Sequence, residues 1–172
     1  MAMRMLLPTA RTFLIGAAAL LGCGPAGAQN ADAGKLKAAI IYNIIRFVAF
    51  TPNVSAPLSL CLARNAAIPR ELAALNGQRA GNRAIALIGL DATNAGSCNV
   101  VYLGNSVADI PKVRQRGVLV IADGAGVLPA GGTIGLVQTG EQIRFEVNVG
   151  AARQDKVVIS SKLLRLAARV QQ

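Results

Sequence analysis

The order of apolar and polar residues predicts a strand followed by a helix near the C-terminus. Across residues 143–149 apolar and polar side chains alternate, which is the pattern of a strand with one buried face. Beyond Gly150 the spacing of apolar residues lengthens to three or four positions, which indicates an amphipathic helix. Ser161 is placed to cap this helix by accepting a backbone N–H. Its apolar stripe is Ile159, Leu163, Leu166 and Val170, flanked by Leu164 and Ala167. The three leucines are therefore predicted to lie in the core.

A longer amphipathic helix is predicted before residue 52. Asp32 can cap its first turn, and Pro52 ends it because proline cannot continue a helix. Two apolar stripes lie between them. The main stripe is Leu36, Ile40, Ile44 and Phe47, and the flanking stripe is Ile41, Ile45 and Val48. Polar residues interrupt the apolar run, so the sequence favours a packed helix over a membrane span.

Between these helices, short apolar runs bounded by turn-forming residues predict buried strands. The predicted strands are 58–63, 83–90, 98–103, 117–122, 133–139 and 143–149, and the short helices are 69–75 and 107–114. Strands separated by helices favour parallel crossovers, whereas Gly140-Glu141-Gln142 indicates an antiparallel hairpin. The predicted fold is therefore a single three-layer α/β domain, with a mixed, mostly parallel sheet of about six strands, flanking helices and a late β-hairpin.

The N-terminal segment has the features of an export signal. Basic residues precede a short apolar run, 13–21, and Ala26-Gly27-Ala28 supplies the small residues of a cleavage site. The sequence thus predicts a signal peptide over residues 1–28 and a periplasmic domain over residues 29–172. An alternative is lipid attachment at Cys23, because the residues before it also fit a lipobox.

Composition narrows the classes of function. The 172 residues are 53% hydrophobic, which is enough for a core, and they include no Trp and no His. Without histidine, Ser-His and Cys-His nucleophile pairs and histidine-containing zinc sites are excluded. The net charge is +10, which suits an anionic partner or surface, although a solvated basic surface is the favoured alternative. Because the basic residues are scattered and aromatic residues are few, nucleic acid is the weakest candidate.

Candidate chemistry is confined to the segment after the predicted strand 117–122. Asp123 follows that strand, and ligands of open α/β sheets bind beyond the carboxyl ends of strands. An Asp-Gly pair is also a common turn, and no second carboxylate lies near it in sequence, so a turn is favoured. Gly124 and Gly126 suggest a phosphate-binding loop, but Pro129 stands where that motif needs its third glycine. We therefore predict no catalytic residue, no metal site and no cofactor.

Three segments resemble the signatures of a family of exported regulators. Residues 145–148, F-E-V-N, and 158–167, V-I-S-S-K-L-L-R-L-A, are similar to the closing signature of the YfiR family. Residues 41–50, I-Y-N-I-I-R-F-V-A-F, resemble its first-helix signature, with Phe50 where a tryptophan is frequent. The resemblance runs from about residue 35 to residue 170, and it implies a periplasmic regulator that is not an enzyme.

The resemblance implies protein partners. In the YfiR family the protein binds the periplasmic region of an inner-membrane diguanylate cyclase and represses it, which lowers cyclic di-GMP and biofilm formation. Sequestration by an outer-membrane lipoprotein is also implied, and a homodimer is a further alternative. Two other hypotheses stay open, namely a periplasmic binder of a small ligand or cell-wall fragment, and an enzyme of unfamiliar type.

The strand before the last helix offers the candidate contacts with such a partner. We predict that Arg144, Glu146 and Asn148 bind the partner and that Phe145 lies in the core. A surface ion pair between Arg144 and Glu146, and local backbone hydrogen bonds at Asn148, are the simpler alternatives.

Cys61 and Cys98 are predicted to form a disulfide bond. They are the only cysteines left after cleavage behind residue 28, and an exported protein reaches an oxidising compartment. Neighbouring strands could bring them close enough for a bridge. Members of the YfiR family resemble this chain in having a bridge between such positions. Two buried free thiols are the alternative.

Overall fold

A central sheet of eight strands organises the computed structural model, which describes residues 26–50, 57–66 and 68–172. The elements are α1 (Ala26–Arg46), β1 (Val48–Ala49), β2 (Leu58–Leu62), α2 (Pro69–Ala73), β3 (Arg79–Ala80), β4 (Arg83–Gly89), β5 (Val100–Tyr102), α3 (Ile110–Val113), β6 (Leu119–Asp123), β7 (Ile134–Thr139), β8 (Gln142–Asn148), α4 (Val149–Gln154), β9 (Val158–Ile159), α5 (Ser161–Leu166) and β10 (Arg169–Gln171). Most of the predicted signal peptide, with Cys23, lies outside the described residues. Within them, no helix is long and apolar enough to cross a membrane.

The sheet is mixed and mostly parallel, with the strand order β10-β8-β7-β6-β5-β2-β4-β3. In this sheet β7 pairs with β8, and β3 with β4, in the antiparallel sense. The other neighbours are parallel. All six predicted strands are present, and the predicted late hairpin is β7–β8. The short edge strands β3 and β10 were not predicted.

The direction of the crossovers reverses at the centre of the sheet. From β2 the chain crosses to β4 on one side, and from β4 it returns past β2 to β5, from which it continues to β6 and β7. β2 and β5 are therefore neighbours whose connections lead to opposite sides, with Leu60 paired to Val100 and Leu62 to Tyr102. Such a place is the topological switch point of an α/β sheet.

Helices cover both faces of the sheet. α1 packs against one face through residues such as Ile41 and Ile45, and Leu163 of α5 joins the same core cluster. α3 packs against the other face through Ile110 and Val113. Every residue of β6 is buried between these layers, as a continuous apolar run predicts. The predicted three-layer α/β fold is confirmed.

The first helix differs from the prediction at both ends. It begins at Ala26, so Asp32 lies within it and is exposed instead of capping it. It ends at Arg46, after which β1 pairs with β9, and Pro52 lies outside the described residues. The predicted flanking stripe is the one that packs best, because the sheet contacts the side of the helix centred on Ile41 and Ile45. Leu36, from the predicted main stripe, is exposed.

In place of the single helix predicted at the C-terminus, the structure has a short strand, a short helix and another strand. Ile159 belongs to β9, and Val170 belongs to β10, which pairs with β8. The helix between them is capped by Ser160 and not by Ser161, since the Ser160 hydroxyl accepts the N–H of Leu163 at 3.2 Å. The prediction of one longer helix was wrong. At each end of the segment, hydrogen bonds to a neighbouring strand, β1 or β8, outweighed the local helical spacing of apolar residues.

The three leucines of that segment have different surroundings. Leu163 is buried, as predicted, and Leu164 is partly buried against the core. Leu166 is 67% exposed, so its assignment to the core was wrong. With only six residues in α5, one face of the helix packs, and Leu166 lies on the other face.

Candidate functional site

A cavity of about 330 Å³ opens at the carboxyl ends of the central strands, and we call it the switch-point cavity. Its walls come from the segments that directly follow β2, β4 and β5, together with α3 and the turn before it. Its apolar lining is Ala63, Leu90, Ala92, Ala95, Leu103 and Val113. Ligands of open α/β sheets bind in the crevice at this point of the topology, so the sheet itself marks the cavity as a candidate site.

The charged groups around the switch-point cavity differ in how far they are already paired. Lys112 donates to Asp109 at 2.7 Å across one helical turn. The Asp91 Oδ1 accepts the hydroxyl and the N–H of Thr93, at 2.7 and 2.8 Å, and the N–H of Asn94. These hydrogen bonds, led by that of the Thr93 hydroxyl, hold the pKa of Asp91 below its ordinary value.

A disulfide bond fastens one wall of this cavity. Cys61 lies on β2 and Cys98 directly follows the loop 91–97, and their Cα atoms are 5.9 Å apart. Both cysteines are buried, in the core cluster that also contains Ala95 and Leu103 of the cavity. The predicted bridge is confirmed. The two cysteines come close to each other because β2 and β5 are neighbours in the sheet.

A second polar cluster lies at the carboxyl end of β6. The Asp123 side chain is 6% exposed, and its carboxylate lies 2.6 Å from the Lys37 amine of α1. The Tyr102 hydroxyl donates to the same carboxylate, at 3.1 Å from each oxygen. Burial first, and then the negative charge of Asp123, raise the pKa of Tyr102, which therefore stays protonated.

The structure gives the Asp123 carboxylate a structural role in joining α1 to the sheet. After it, Gly124 has φ +104°, and residues 125–131 form turns in place of the helix that a phosphate-binding loop requires. The sequence pattern did not indicate Lys37 and Tyr102 as the partners of Asp123. The available signal was Lys37 itself, a lone cation within the apolar run of α1.

The three predicted partner-binding residues differ in exposure. Arg144 is exposed on β8, whereas Glu146 lies 3.8 Å from Arg169 of β10 and not in the expected pair with Arg144. Asn148 is buried and caps α4, since it accepts the N–H of Ala151 at 2.8 Å and donates to the Leu128 carbonyl. Its predicted local hydrogen bonding is confirmed, and its contact with a partner stays a prediction.

Two other hollows occur near the signature segments. One, of about 250 Å³, includes Phe50 and Arg46 at the end of the first-helix signature. The other, of about 410 Å³, lies between α4, β9 and α5, and includes Arg153 and Lys156. In the described part of the chain, no three His, Cys, Asp or Glu side chains group so that they could hold a metal ion.

Two solved structures share the fold. A conserved domain protein from Vibrio cholerae is similar with a TM-score of 0.52 and 13% identity, over 80% of this chain and 60% of that one. An ABC domain from Streptococcus pneumoniae, solved in complex with L-Trp, has a TM-score of 0.50 and 12% identity, with the same coverage. The chain thus spans 60% of the length of these structures. At such identities the likeness shows the fold alone.

Sequence comparison gives the family. No functionally curated protein matches the chain. The model of the YfiR/HmsC-like family matches residues 34–168, which include both signature regions and every strand of the sheet except β10. Members of this family are periplasmic regulators in cyclic di-GMP signalling that act with a membrane partner. The chain belongs to the YfiR/HmsC-like family.

Proposed function

We propose that this protein represses an inner-membrane diguanylate cyclase by binding its periplasmic region, and so lowers cyclic di-GMP and biofilm formation. The observation that carries the proposal is the family match over residues 34–168. The proposal includes export, with removal of residues 1–28, and release of the cyclase when an outer-membrane lipoprotein sequesters the protein.

The edge of the sheet at β8 and β10 supplies the proposed contact surface. Arg144 is exposed there, and Arg169 of β10 is half-exposed beside Glu146. Leu166, the exposed leucine of the closing signature, ends α5, and only two residues separate it from the start of β10. Two exposed cations on β8 and β10, together with an exposed apolar side chain close in sequence to β10, suit a partner surface that combines carboxylates with an apolar contact.

Deletion of the gene tests the proposed function. We expect cyclic di-GMP and biofilm mass to rise in the deletion strain and to return to normal when the wild-type gene is restored. Unchanged cyclic di-GMP in the deletion strain would contradict the proposal.

Substitution of Arg144 tests the proposed surface separately. Arg144→Glu reverses an exposed charge, so we expect it to fold normally and to restore repression poorly in the deletion strain. Arg70→Glu is the matched control, because Arg70 is an exposed arginine on α2, away from β8 and β10. Equal repression by both variants would remove Arg144 from the contact surface.

A further inference from the structure

The switch-point cavity is shaped to hold a small molecule. Its volume of about 330 Å³ is at the lower end of the range for ligand pockets, about 300 to 1,000 Å³. Leu103 and Val113 are buried beneath it, and Leu90 and Ala92 come from the loop above β4. A ligand with a short apolar body would find apolar contacts on several sides.

Most polar groups of the cavity already have partners within the protein. Lys112 is held by Asp109, and the Asn65 amide donates to the Ser106 hydroxyl at 2.7 Å. Asp91 stabilises its own turn through three hydrogen bonds to Oδ1. None of these groups needs a ligand to be satisfied.

Arg64 is the exception among the charged groups of this cavity. It directly follows β2 at the switch point and is exposed, and no ion pair among the described residues uses it. Its guanidinium is near enough to Asp91 to lower the pKa of that carboxyl slightly, but the two form no salt bridge. A guanidinium offers two parallel N–H donors, an arrangement that matches a carboxylate.

We propose that the switch-point cavity binds a small organic monocarboxylate, with the carboxylate on Arg64 and an apolar body against Leu90, Leu103 and Val113. One uncommitted cation favours one negative charge, and the volume favours a short branched or aromatic body. The site lies beyond the carboxyl ends of β2, β4 and β5, away from the proposed partner surface at β8 and β10, so it does not depend on the proposed repression.

The purified protein and a panel of simple acids test this site. The panel is 3-methylbutanoate, phenylacetate and benzoate, each paired with its neutral amide, and binding is followed by calorimetry and by amide chemical shifts. We expect at least one acid to bind with a dissociation constant of about 1 mM or tighter, and its amide to bind about tenfold more weakly or not at all. The shifts should centre on the residues after β2 and β4.

Two matched variants assign the binding to Arg64. Arg64→Gln removes the charge at an exposed position, so the fold should be kept while affinity for the acid falls about tenfold. Arg70→Gln, which removes an exposed arginine outside the cavity, should bind like the wild type. Ala92→Phe, which fills the mouth of the cavity from an exposed loop position, should abolish binding.

Several outcomes would overturn the proposal. The first is that no acid binds at 10 mM, about ten times the expected dissociation constant. The others are that an acid and its amide bind equally well, or that Arg64→Gln binds the acid as tightly as the wild type. Inorganic phosphate that binds as tightly as the best acid would show that the apolar wall contributes nothing. Chemical shifts that centre on β8 and β10 would place the ligand elsewhere.

Discussion

The amine of Lys37 and the carboxylate of Asp123 lie 2.6 Å apart, although 86 positions separate them in sequence. The Lys37 side chain is 15% exposed and that of Asp123 is 6% exposed, so both charges have lost most of their water. Burial of two ions is costly even when they pair, but removal of one partner leaves an uncompensated charge in the core. The pair therefore makes the docking of α1 sensitive to a single substitution.

Replacement of Lys37 tests this sensitivity. Lys37→Met keeps the stem of the side chain and leaves Asp123 without its cation, so we expect the free energy of unfolding to fall by about 3 kcal/mol. Urea denaturation measures the change. The control is Lys35→Met, since Lys35 pairs with Asp32 in water, with both side chains more than two-thirds exposed, and should change stability by less than about 0.5 kcal/mol. Equal effects of the two substitutions would mean that the buried pair adds nothing.

Tyr102 gives the protein an expected dependence on alkaline pH. Its pKa is raised in the folded state by burial and by Asp123, so the folded protein keeps a proton that the unfolded chain loses. This contribution to stability is complete below the ordinary tyrosine value of about 10 and declines above it by about 1.4 kcal/mol per pH unit.

Comparison with Tyr102→Phe isolates that decline. Between pH 9 and pH 11, a range chosen around the tyrosine value of about 10, the wild type should lose more stability than the variant. Tyr42→Phe, which leaves Tyr102 in place, should follow the wild type. If the curves of the wild type and of Tyr102→Phe stay parallel in urea denaturation, the assignment is wrong.

At this scale the sequence was informative about Asp123 and Cys61 but not about their neighbours. An Asp at the end of an apolar run can be recognised locally, and the predicted cleavage behind residue 28 would leave only two cysteines to pair. Lys37 and Tyr102 reach Asp123 only because α1 and β5 both pack beside β6. That proximity is a property of the topology, which no local spacing contains.

Among the elements, those with a continuous apolar run were predicted best. β6 has an uninterrupted buried run, and its bounds differ from the prediction by two residues at the start and one at the end. β9 and β10 have two and three residues, too few for any period to be seen, and their hydrogen bonds come from β1 and β8. A helical stripe across both was the best local interpretation, and long-range pairing overrode it.

Substitutions of Leu163 and Leu166 test which leucines of α5 lie in the core. Leu163→Asp places a charge in the core cluster, so we expect it to lower the free energy of unfolding by about 3 kcal/mol or more. Leu166→Asp changes an exposed side chain and should stay within about 0.5 kcal/mol of the wild type. Thermal denaturation of both variants measures the difference.

The same two variants separate packing from partner binding. If Leu166→Asp folds normally but represses poorly in cells, Leu166 contacts the partner, in agreement with the proposed surface. A loss of stability in Leu166→Asp as large as in Leu163→Asp would return Leu166 to the core.

For the whole molecule, the fold class could be predicted and the strand order could not. Strands separated by helices imply parallel crossovers, and Gly140 with its neighbours implied the hairpin. Nothing in the order of the elements tells which side of β2 receives β4 and which receives β5. The position of the switch-point cavity follows from that choice, so the cavity emerged only from the structure.

The disulfide should contribute a large share of the stability of the domain. Cys61 and Cys98 are 37 positions apart, and closing a loop of that size stabilises the folded state by about 3 to 4 kcal/mol in the chain-entropy model. The double variant Cys61→Ala, Cys98→Ala should lose about that much in urea denaturation. Intact mass after denaturing alkylation without reductant checks the premise, because two alkylated cysteines in the wild type would refute the bridge.

The pairing of β2 with β5 also bears on how fast the chain can fold. β6, β7, β8 and β10 all lie beyond β5, so the pairing of β5 with β2 joins the two halves of the sheet. An oxidised unfolded chain keeps these two strands tethered through Cys61 and Cys98, whereas a reduced chain must close the same loop against its entropy. The oxidised chain should therefore refold faster than the reduced chain, and the disulfide would shorten the time for which an incompletely folded molecule is exposed to proteases.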